Sequence, residues 1–152
     1  MSSEMVPQRI HSPSAPPMSL ATRLTSMPPR VLLAEDDVEL RRLLVTALRR
    51  SGYRVTEVRD GEELMEILHD LMIDRDGFRP DLIATDIRMP KRSGLEVVTA
   101  LRKFEQKTPV VLFTAFADDD TRDAAYRAGA NLLLEKPFDI DDLTLAVRTL
   151  LL

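Results

Sequence analysis

Five short apolar segments recur along the chain from Val31 onwards, and they alternate with longer segments whose apolar residues follow a helical period. Four are continuously apolar and one alternates apolar with polar residues. They cover Val31 to Ala34, Tyr53 to Val58, Leu82 to Ala84, Val110 to Phe113 and Leu132 to Leu134. Short apolar runs bounded by turn residues are typical of buried strands. The pattern predicts five strands, each followed by a helix.

The predicted helices are marked by apolar residues spaced i, i+3, i+4, i+7 and i+8. In the first two helices these residues are Leu40, Leu43, Leu44, Ala47 and Leu48, then Leu64, Ile67, Leu68, Leu71 and Met72. We expect Gly52 to end the first helix, and Ser93 and Asp139 to cap the third and the fifth. A shorter fourth helix is predicted from about Thr121 to Ala128.

Apolar strands that alternate with helices indicate a parallel sheet covered on both faces. Right-handed crossovers leave few topologies, and five strands favour the flavodoxin-like order 2-1-3-4-5. The predicted fold class is therefore α/β, a doubly wound five-stranded parallel sheet with five helices. Strands one and three are then neighbours at the switch point, where open α/β sheets bind ligands.

Residues 1 to 29 have a different composition from the remainder. They contain six of the ten prolines and six serines. This composition predicts a disordered arm at 1–29 and one folded domain at 30–152. The arm lacks the apolar stretch of a secretory signal. Met18 and Met27 leave open that translation begins later than Met1.

Composition excludes several classes of protein. No apolar run approaches the length of about 18 residues that a membrane span needs, so we expect a cytoplasmic protein without a membrane partner. The chain has no cysteine, and His11 and His69 are far apart, so only oxygen ligands remain for a metal. Residues 31 to 152 carry 18 basic and 24 acidic residues, which disfavours nucleic-acid binding.

Acidic residues end two of the strands predicted to be neighbours. Strand one runs into Glu35, Asp36 and Asp37, and strand three runs into Asp86. Two carboxylates about 4 Å apart near a surface repel by roughly 4 kcal/mol, so such a cluster favours a cation or a proton. An all-oxygen site suits Mg²⁺. Each acid taken alone has a simpler interpretation, as a helix cap or a solvated strand end.

A hydroxyl and an ammonium group end two further strands at this edge, at Thr114 after strand four and Lys136 after strand five. Either residue alone is uninformative. A metal, a carboxylate, a hydroxyl and a lysine on one edge are together what phosphoryl transfer onto a carboxylate requires.

From Pro29 to Leu152 the sequence resembles a receiver domain of the bacterial two-component response regulators. The matching segments occur in the order and spacing of that family. They are Leu33-Ala34-Glu35-Asp36-Asp37, Asp86-Ile87-Arg88-Met89-Pro90 with Gly94, Thr114-Ala115, Ala128-Gly129-Ala130 and Glu135-Lys136-Pro137-Phe138.

The resemblance implies a role for each site residue. Asp86 is expected to accept the phosphoryl group. Asp36, Asp86 and the backbone carbonyl of Arg88 are expected to ligate Mg²⁺, with Glu35 acting through a metal-bound water. Thr114 and Lys136 are expected to contact the phosphoryl oxygens, and a cis Lys136-Pro137 bond would direct the lysine inward.

The resemblance also implies the function. We expect a single-domain response regulator, a signalling phosphoprotein rather than an enzyme. It would receive its phosphoryl group from a sensor histidine kinase or a phosphotransfer protein. It would signal through a downstream protein or a self-dimer, using helix 4, strand 5 and helix 5. That the chain is a fragment of a longer regulator is left open.

Two other functions are weighed against this interpretation. A Mg²⁺-dependent aspartyl phosphatase uses similar groups, but it needs an Asp-x-Asp motif that Asp36-Asp37-Val38 does not supply. A phosphorylation-independent scaffold typically lacks one of the acids or the lysine, and all are retained here.

Three features depart from the family pattern. Leu133 stands where receivers usually have a Tyr or Phe that turns inward on activation. An apparent insertion, Ile73 to Arg79, is predicted to be a polar surface loop. Arg88 and Phe116 flank the predicted phosphorylation site, where they are expected to shield the phosphoryl group from water and so prolong the life of the phosphorylated form.

Overall fold

Strands and helices alternate throughout the part of the chain that the computed structural model describes, which is residues 27–74, 76–77 and 79–152. The strands are β1 (Arg30–Ala34), β2 (Arg54–Val58), β3 (Leu82–Asp86), β4 (Val110–Thr114) and β5 (Leu132–Glu135). The helices are α1 (Val38–Arg50), α2 (Gly61–Ile73), α3 (Gly94–Arg102), α4 (Asp119–Ala128) and α5 (Ile140–Leu150). The predicted arm at 1–29 falls almost wholly outside the described residues and stays a prediction.

The five strands form one parallel sheet in the order β2-β1-β3-β4-β5, which confirms the predicted flavodoxin-like fold. Alternate residues of each strand face opposite sides of the sheet. One set packs with α2, α3 and α4 and includes Leu32, Ile83 and Leu112, while the other packs with α1 and α5 and includes Leu33 and Phe113. Within the described residues, no helix has the length and apolar character needed to cross a membrane.

At their carboxyl ends, β3, β4 and β5 extend one or two residues further than their apolar runs. Asp86 is the last residue of β3, and Thr114 is the last residue of β4. In the sheet register Asp86 lies opposite Phe113, and Thr114 lies opposite Glu135. Asp86 and Thr114, which were predicted to follow their strands, are therefore held by the sheet itself.

The buried face of helix α1 coincides only in part with the face that its leucines predict. The buried positions are 41, 44, 45 and 48, which repeat at i, i+3, i+4 and i+7. The prediction was right for Leu44 and Leu48 and wrong for Leu43, which is 55% exposed. The buried position preceding Leu44 in this stripe is Arg41, whose guanidinium group donates a hydrogen bond to a backbone carbonyl.

Polar caps set the helix limits. Ser93 accepts a hydrogen bond from the Glu96 N–H and begins α3, as predicted. Asp118 accepts one from the Thr121 N–H, so α4 begins at Asp119, two residues earlier than expected. Asp139 begins α5, with the Asp142 carboxylate accepting from its N–H. Each cap satisfies a backbone donor that the helix leaves free.

Gly94 lies against the backbone at the end of β3. A Cβ at this position would meet the carbonyl oxygen of Asp86 at 2.3 Å. The Gly94 N–H donates a 2.8 Å hydrogen bond to the carbonyl of Ile87, so the contact cannot open without losing that bond. Gly94 therefore lets α3 begin directly beside the carboxyl end of β3.

We predict that Gly94→Ala lowers the free energy of unfolding by about 1–3 kcal/mol, the usual cost of overpacking. The substitution should also move the amide resonances of Asp86 and Ile87, because the added methyl group displaces the backbone there. Urea unfolding and two-dimensional NMR measure the two effects.

Gly52→Ala is the matched control. Gly52 has a φ of +97°, and a Cβ there meets nothing within 4 Å. Its substitution should cost about 1–2 kcal/mol through backbone strain alone and leave the Asp86 resonance in place. An unmoved Asp86 resonance in Gly94→Ala would contradict the close-packing explanation.

Candidate functional site

Four predicted site residues meet at the carboxyl edge of the sheet. Glu35 follows β1 and is fully buried, Asp86 is 5% exposed and Thr114 is 1% exposed. Lys136 follows β5, and its N–H donates a 2.7 Å hydrogen bond to the Thr114 carbonyl. Because parallel strands end at a common edge, residues that are up to 101 positions apart become neighbours.

Lys136 makes contact with two acids. Its ammonium group donates a 3.1 Å hydrogen bond to Glu35 Oε2 and another to Asp86 Oδ2. The Lys136-Pro137 peptide bond is cis, as the resemblance implied. The lysine side chain is mostly shielded from solvent, with 21% of its area exposed. Lys136 therefore supplies the positive charge that the buried acids need.

Carboxylate oxygens of Glu35, Asp36 and Asp86 all lie within 4.8 Å of one another. Glu35 and Asp86 are buried, whereas Asp36 is exposed. Oxygen ligands from a small number of carboxylates, with one side open to water, fit the coordination that Mg²⁺ prefers. The donor set is therefore compatible with magnesium.

Two other residues lie beside this cluster. Asp37 caps α1 by accepting a 2.9 Å hydrogen bond from the Leu40 N–H, and its carboxylate is not part of the three-acid group, as expected. The Arg88 N–H donates a 3.0 Å hydrogen bond to Asp86 Oδ1. The Asp86 carboxylate is thus held by Lys136 on one oxygen and by the β3–α3 loop on the other. The carbonyl of Arg88 as a metal ligand stays a prediction.

Burial and the charges at this edge together shift the pKa of two groups. Burial, with the nearby charge of Asp86, raises the pKa of Glu35 to about 7. Burial opposes the charged form of Lys136, but hydrogen bonds and charge from Asp86 and then Glu35 outweigh it and raise the lysine pKa. The cluster therefore holds acids that repel each other and a lysine that stays protonated.

Thr114 and Phe116 lie at the carboxyl end of β4 and are joined by a hydrogen bond. The Thr114 hydroxyl oxygen accepts a 3.1 Å hydrogen bond from the Phe116 N–H. The Phe116 ring is 58% exposed, and the Arg88 guanidinium carbon lies 4.6 Å from the ring centroid. A hydrogen bond from the Thr121 side chain, then one from its N–H, and to a lesser extent the Arg88 charge, hold the pKa of Asp118 below its usual range.

Leu133 lies on β5 in register with Leu112, and it is 9% exposed. It belongs to the apolar core on the side of α2, α3 and α4. The position is thus occupied by a core side chain.

Arg41 is a residue that the sequence analysis did not identify. It is 9% exposed, and its Nη1 donates a 2.8 Å hydrogen bond to the carbonyl of Glu35. The available signal was its position, three residues before Leu44 and seven before Leu48 on one face of α1. An arginine on a helix face that enters the core requires a buried partner.

Comparison with known proteins places this architecture in context. The model of the response regulator receiver domain family matches residues 31–148. The chain is 34% identical over 119 residues to the regulatory protein AtoC of Escherichia coli K12, covering 78% of this chain and 24% of AtoC. It is 37% identical over 126 residues to the transcriptional regulatory protein PdtaR of Mycobacterium tuberculosis, covering 81% of this chain and 57% of PdtaR. The chain thus spans less than two thirds of these relatives.

Solved structures agree with the sequence comparison. The receiver domain of the Francisella response regulator 1452 superposes with a TM-score of 0.72 at 28% identity, over 81% of this chain and 96% of that one. The chemotaxis response regulator CheY4 of Vibrio cholerae gives a TM-score of 0.68 at 26% identity, over 81% and 98% of the two chains. The fold, the family match and the relatives agree, and the chain belongs to the response regulator receiver domain family.

Proposed function

We propose that this chain acts as a response regulator that accepts a phosphoryl group on Asp86 in a Mg²⁺-dependent reaction. The donor is a sensor histidine kinase or a phosphotransfer protein. The observation that carries the proposal is the position of Asp86, at the end of β3, with one carboxylate oxygen on Lys136 and the other on the Arg88 N–H. Receiver domains are signalling domains, which agrees with this role.

The three clustered acids are proposed to hold the metal, together with the Arg88 carbonyl. Bound Mg²⁺ would neutralise negative charge on the acids and on the incoming phosphoryl oxygens. Glu35 and Asp36 lie beside Asp86 and offer oxygens only, which suits this ion. The residues present therefore fit the cofactor.

The transfer requires a nucleophile and groups that offset charge. An Asp86 carboxylate oxygen attacks phosphorus, a new O–P bond forms, and the P–N bond to the donor histidine breaks. Lys136 already contacts the attacking carboxylate and can pair with a phosphoryl oxygen. The Thr114 hydroxyl, at the end of the adjacent strand, can donate to another. The Arg88 N–H fixes the orientation of the carboxylate.

The proposed output surface comprises α4, β5 and α5. Tyr126 on α4 and Leu145 on α5 are 51% and 53% exposed, so this surface offers large apolar groups to a downstream protein or a second copy. The folded part of the chain is acidic, which favours a protein over nucleic acid as its partner. The proposed location is the cytoplasm.

We expect wild-type protein with Mg²⁺ to form an adduct with beryllofluoride and with acetyl phosphate, and Asp86→Asn to form none. The substitution removes the nucleophilic oxygen and keeps the size of the side chain. Fluorine NMR detects the first adduct, and intact mass detects the second. Omission of Mg²⁺ should abolish both.

Asp37→Asn is the matched control, since it changes a neighbouring acid outside the metal group and retains a good helix cap. It should form both adducts like the wild type. No adduct in the wild type would favour the scaffold, and sustained turnover of free phosphomonoesters would favour the phosphatase.

Arg88 and Phe116 are expected to prolong the life of the phosphorylated form by limiting the access of water to Asp86. An exposed cation–π contact is worth about 0.5–1 kcal/mol, so Arg88→Ala or Phe116→Ala should shorten the half-life about two- to fivefold. Dephosphorylation after removal of the donor measures this. A wild-type half-life of seconds would count against the shield.

Arg92→Ala is the control for charge in the same loop. Arg92 is paired at 3.8 Å with Glu62, on the side of α2. Its substitution should leave the half-life unchanged. An equal shortening in Arg92→Ala would mean that loop charge, rather than the stacked pair, sets the lifetime.

A further inference from the structure

Arg41 is a charged residue on the buried face of α1. It is 9% exposed, while the next residue of the helix, Arg42, points to solvent. An arginine is rarely buried unless its guanidinium is paired, because desolvation of the charge is costly. The groups that Arg41 contacts therefore account for its burial.

The guanidinium group contacts two elements at once. Nη1 donates a 2.8 Å hydrogen bond to the Glu35 carbonyl, and Nε lies 3.8 Å from Glu57 Oε2 on β2. The first distance is that of a good charge-assisted hydrogen bond. The second is a long ion pair to a carboxylate side chain that is 45% exposed, and such pairs contribute little. The contact with Glu35 is therefore the stronger one.

That carbonyl belongs to the peptide that joins two of the three clustered acids. A peptide group is planar, so fixing the Glu35 oxygen also fixes the nitrogen and Cα of Asp36. The Glu35 N–H is bonded to the Val58 carbonyl at 3.2 Å, so the residue is held on both sides. The direction in which Asp36 leaves the backbone follows from these two bonds.

The side chains of the two acids are held differently. Glu35 accepts hydrogen bonds from Lys136 and from the Asp37 N–H. Within the described parts of the chain, no hydrogen bond to the Asp36 carboxylate is found, and that residue is exposed. The placement of the Asp36 carboxylate therefore depends on its backbone, and so on the group that holds the Glu35 carbonyl.

We propose that Arg41 is a positioning residue for the metal site, holding the peptide between Glu35 and Asp36 so that the Asp36 carboxylate faces Glu35 and Asp86. This inference rests on the proposed Mg²⁺ site and adds a residue that acts on the metal only through the acids. Arg41 contributes the positioning of one ligand, and its side chain contacts no phosphoryl group.

The test is the Mg²⁺ affinity of the unphosphorylated full chain, measured by titration calorimetry for the wild type and Arg41→Met. Loss of a group that orients a metal ligand typically weakens binding about 10- to 100-fold, and this is the expected change. The thermal midpoint in EDTA is recorded separately, because removal of a buried contact also lowers stability without metal.

Two variants separate positioning from other effects. Arg42→Met removes an exposed arginine from the next position, and Glu57→Gln removes only the long ion pair. Both should bind Mg²⁺ within about twofold of the wild type. If Glu57→Gln weakens binding as much as Arg41→Met, the ion pair and not the Glu35 carbonyl is responsible, and the proposal is wrong.

Arg41→Lys decides the question if Arg41→Met does not fold. A lysine ammonium is a point donor that cannot reproduce the geometry of the planar guanidinium at the Glu35 carbonyl, so we expect binding at least about threefold weaker. Wild-type affinity in a folded Arg41 variant overturns the positioning role and leaves the proposed function intact. Absence of Mg²⁺ binding in the wild type overturns this inference and the metal site together.

Discussion

The contact of Lys136 with Asp86 and Glu35 is the interaction on which the site depends. Both acids are buried, and a buried carboxylate without a partner is strongly destabilising. The only cation in hydrogen-bond contact with both, within the described residues, follows the last strand of the sheet. Strands β1, β3 and β5 must therefore end at one edge for the acids to be tolerated.

The sheet order meets this requirement. The order β2-β1-β3-β4-β5 places the two acid-bearing strands side by side, with β4 between β3 and the lysine. Thr114 lies on that intervening strand, and its carbonyl accepts the Lys136 N–H. Helices on both faces cover the strands, so the edge is the part of the sheet where polar groups reach water. The need to pair the buried acids with a cation and the order of the strands thus both locate the site at the carboxyl edge of the sheet.

Most of this arrangement could be predicted from the sequence, because apolar runs identify strands and the rules of parallel sheets decide where those strands end. Asp86 and Thr114 follow directly from that reasoning. The family role of each residue required the resemblance, since one acid at a strand end is commonly a cap. Asp37 is such a cap in the structure.

The contribution of Arg41 could not be predicted in the same way. Counting apolar residues places Leu43 in the helical stripe and leaves Arg41 out of it, whereas the structure exposes Leu43 and buries Arg41. A count of apolar residues takes no account of hydrogen bonds. Here the hydrogen bond from Arg41 to the Glu35 carbonyl offsets the cost of desolvating the guanidinium group. In α1 the hydrophobic pattern therefore fails where a buried polar side chain meets a backbone carbonyl.

Leu133 raises the question of how a change at Asp86 reaches the rest of the domain. This position is a leucine packed in the core, so there is no aromatic ring here that could turn. A second set of contacts runs from Asp86 towards α4. The Arg88 N–H donates a hydrogen bond to Asp86, and the Arg88 guanidinium group lies over the Phe116 ring. The Phe116 N–H in turn donates a hydrogen bond to the Thr114 hydroxyl oxygen. Phe116 lies three residues before α4. Groups already in contact thus connect the Asp86 carboxylate to Phe116, in the segment just before α4.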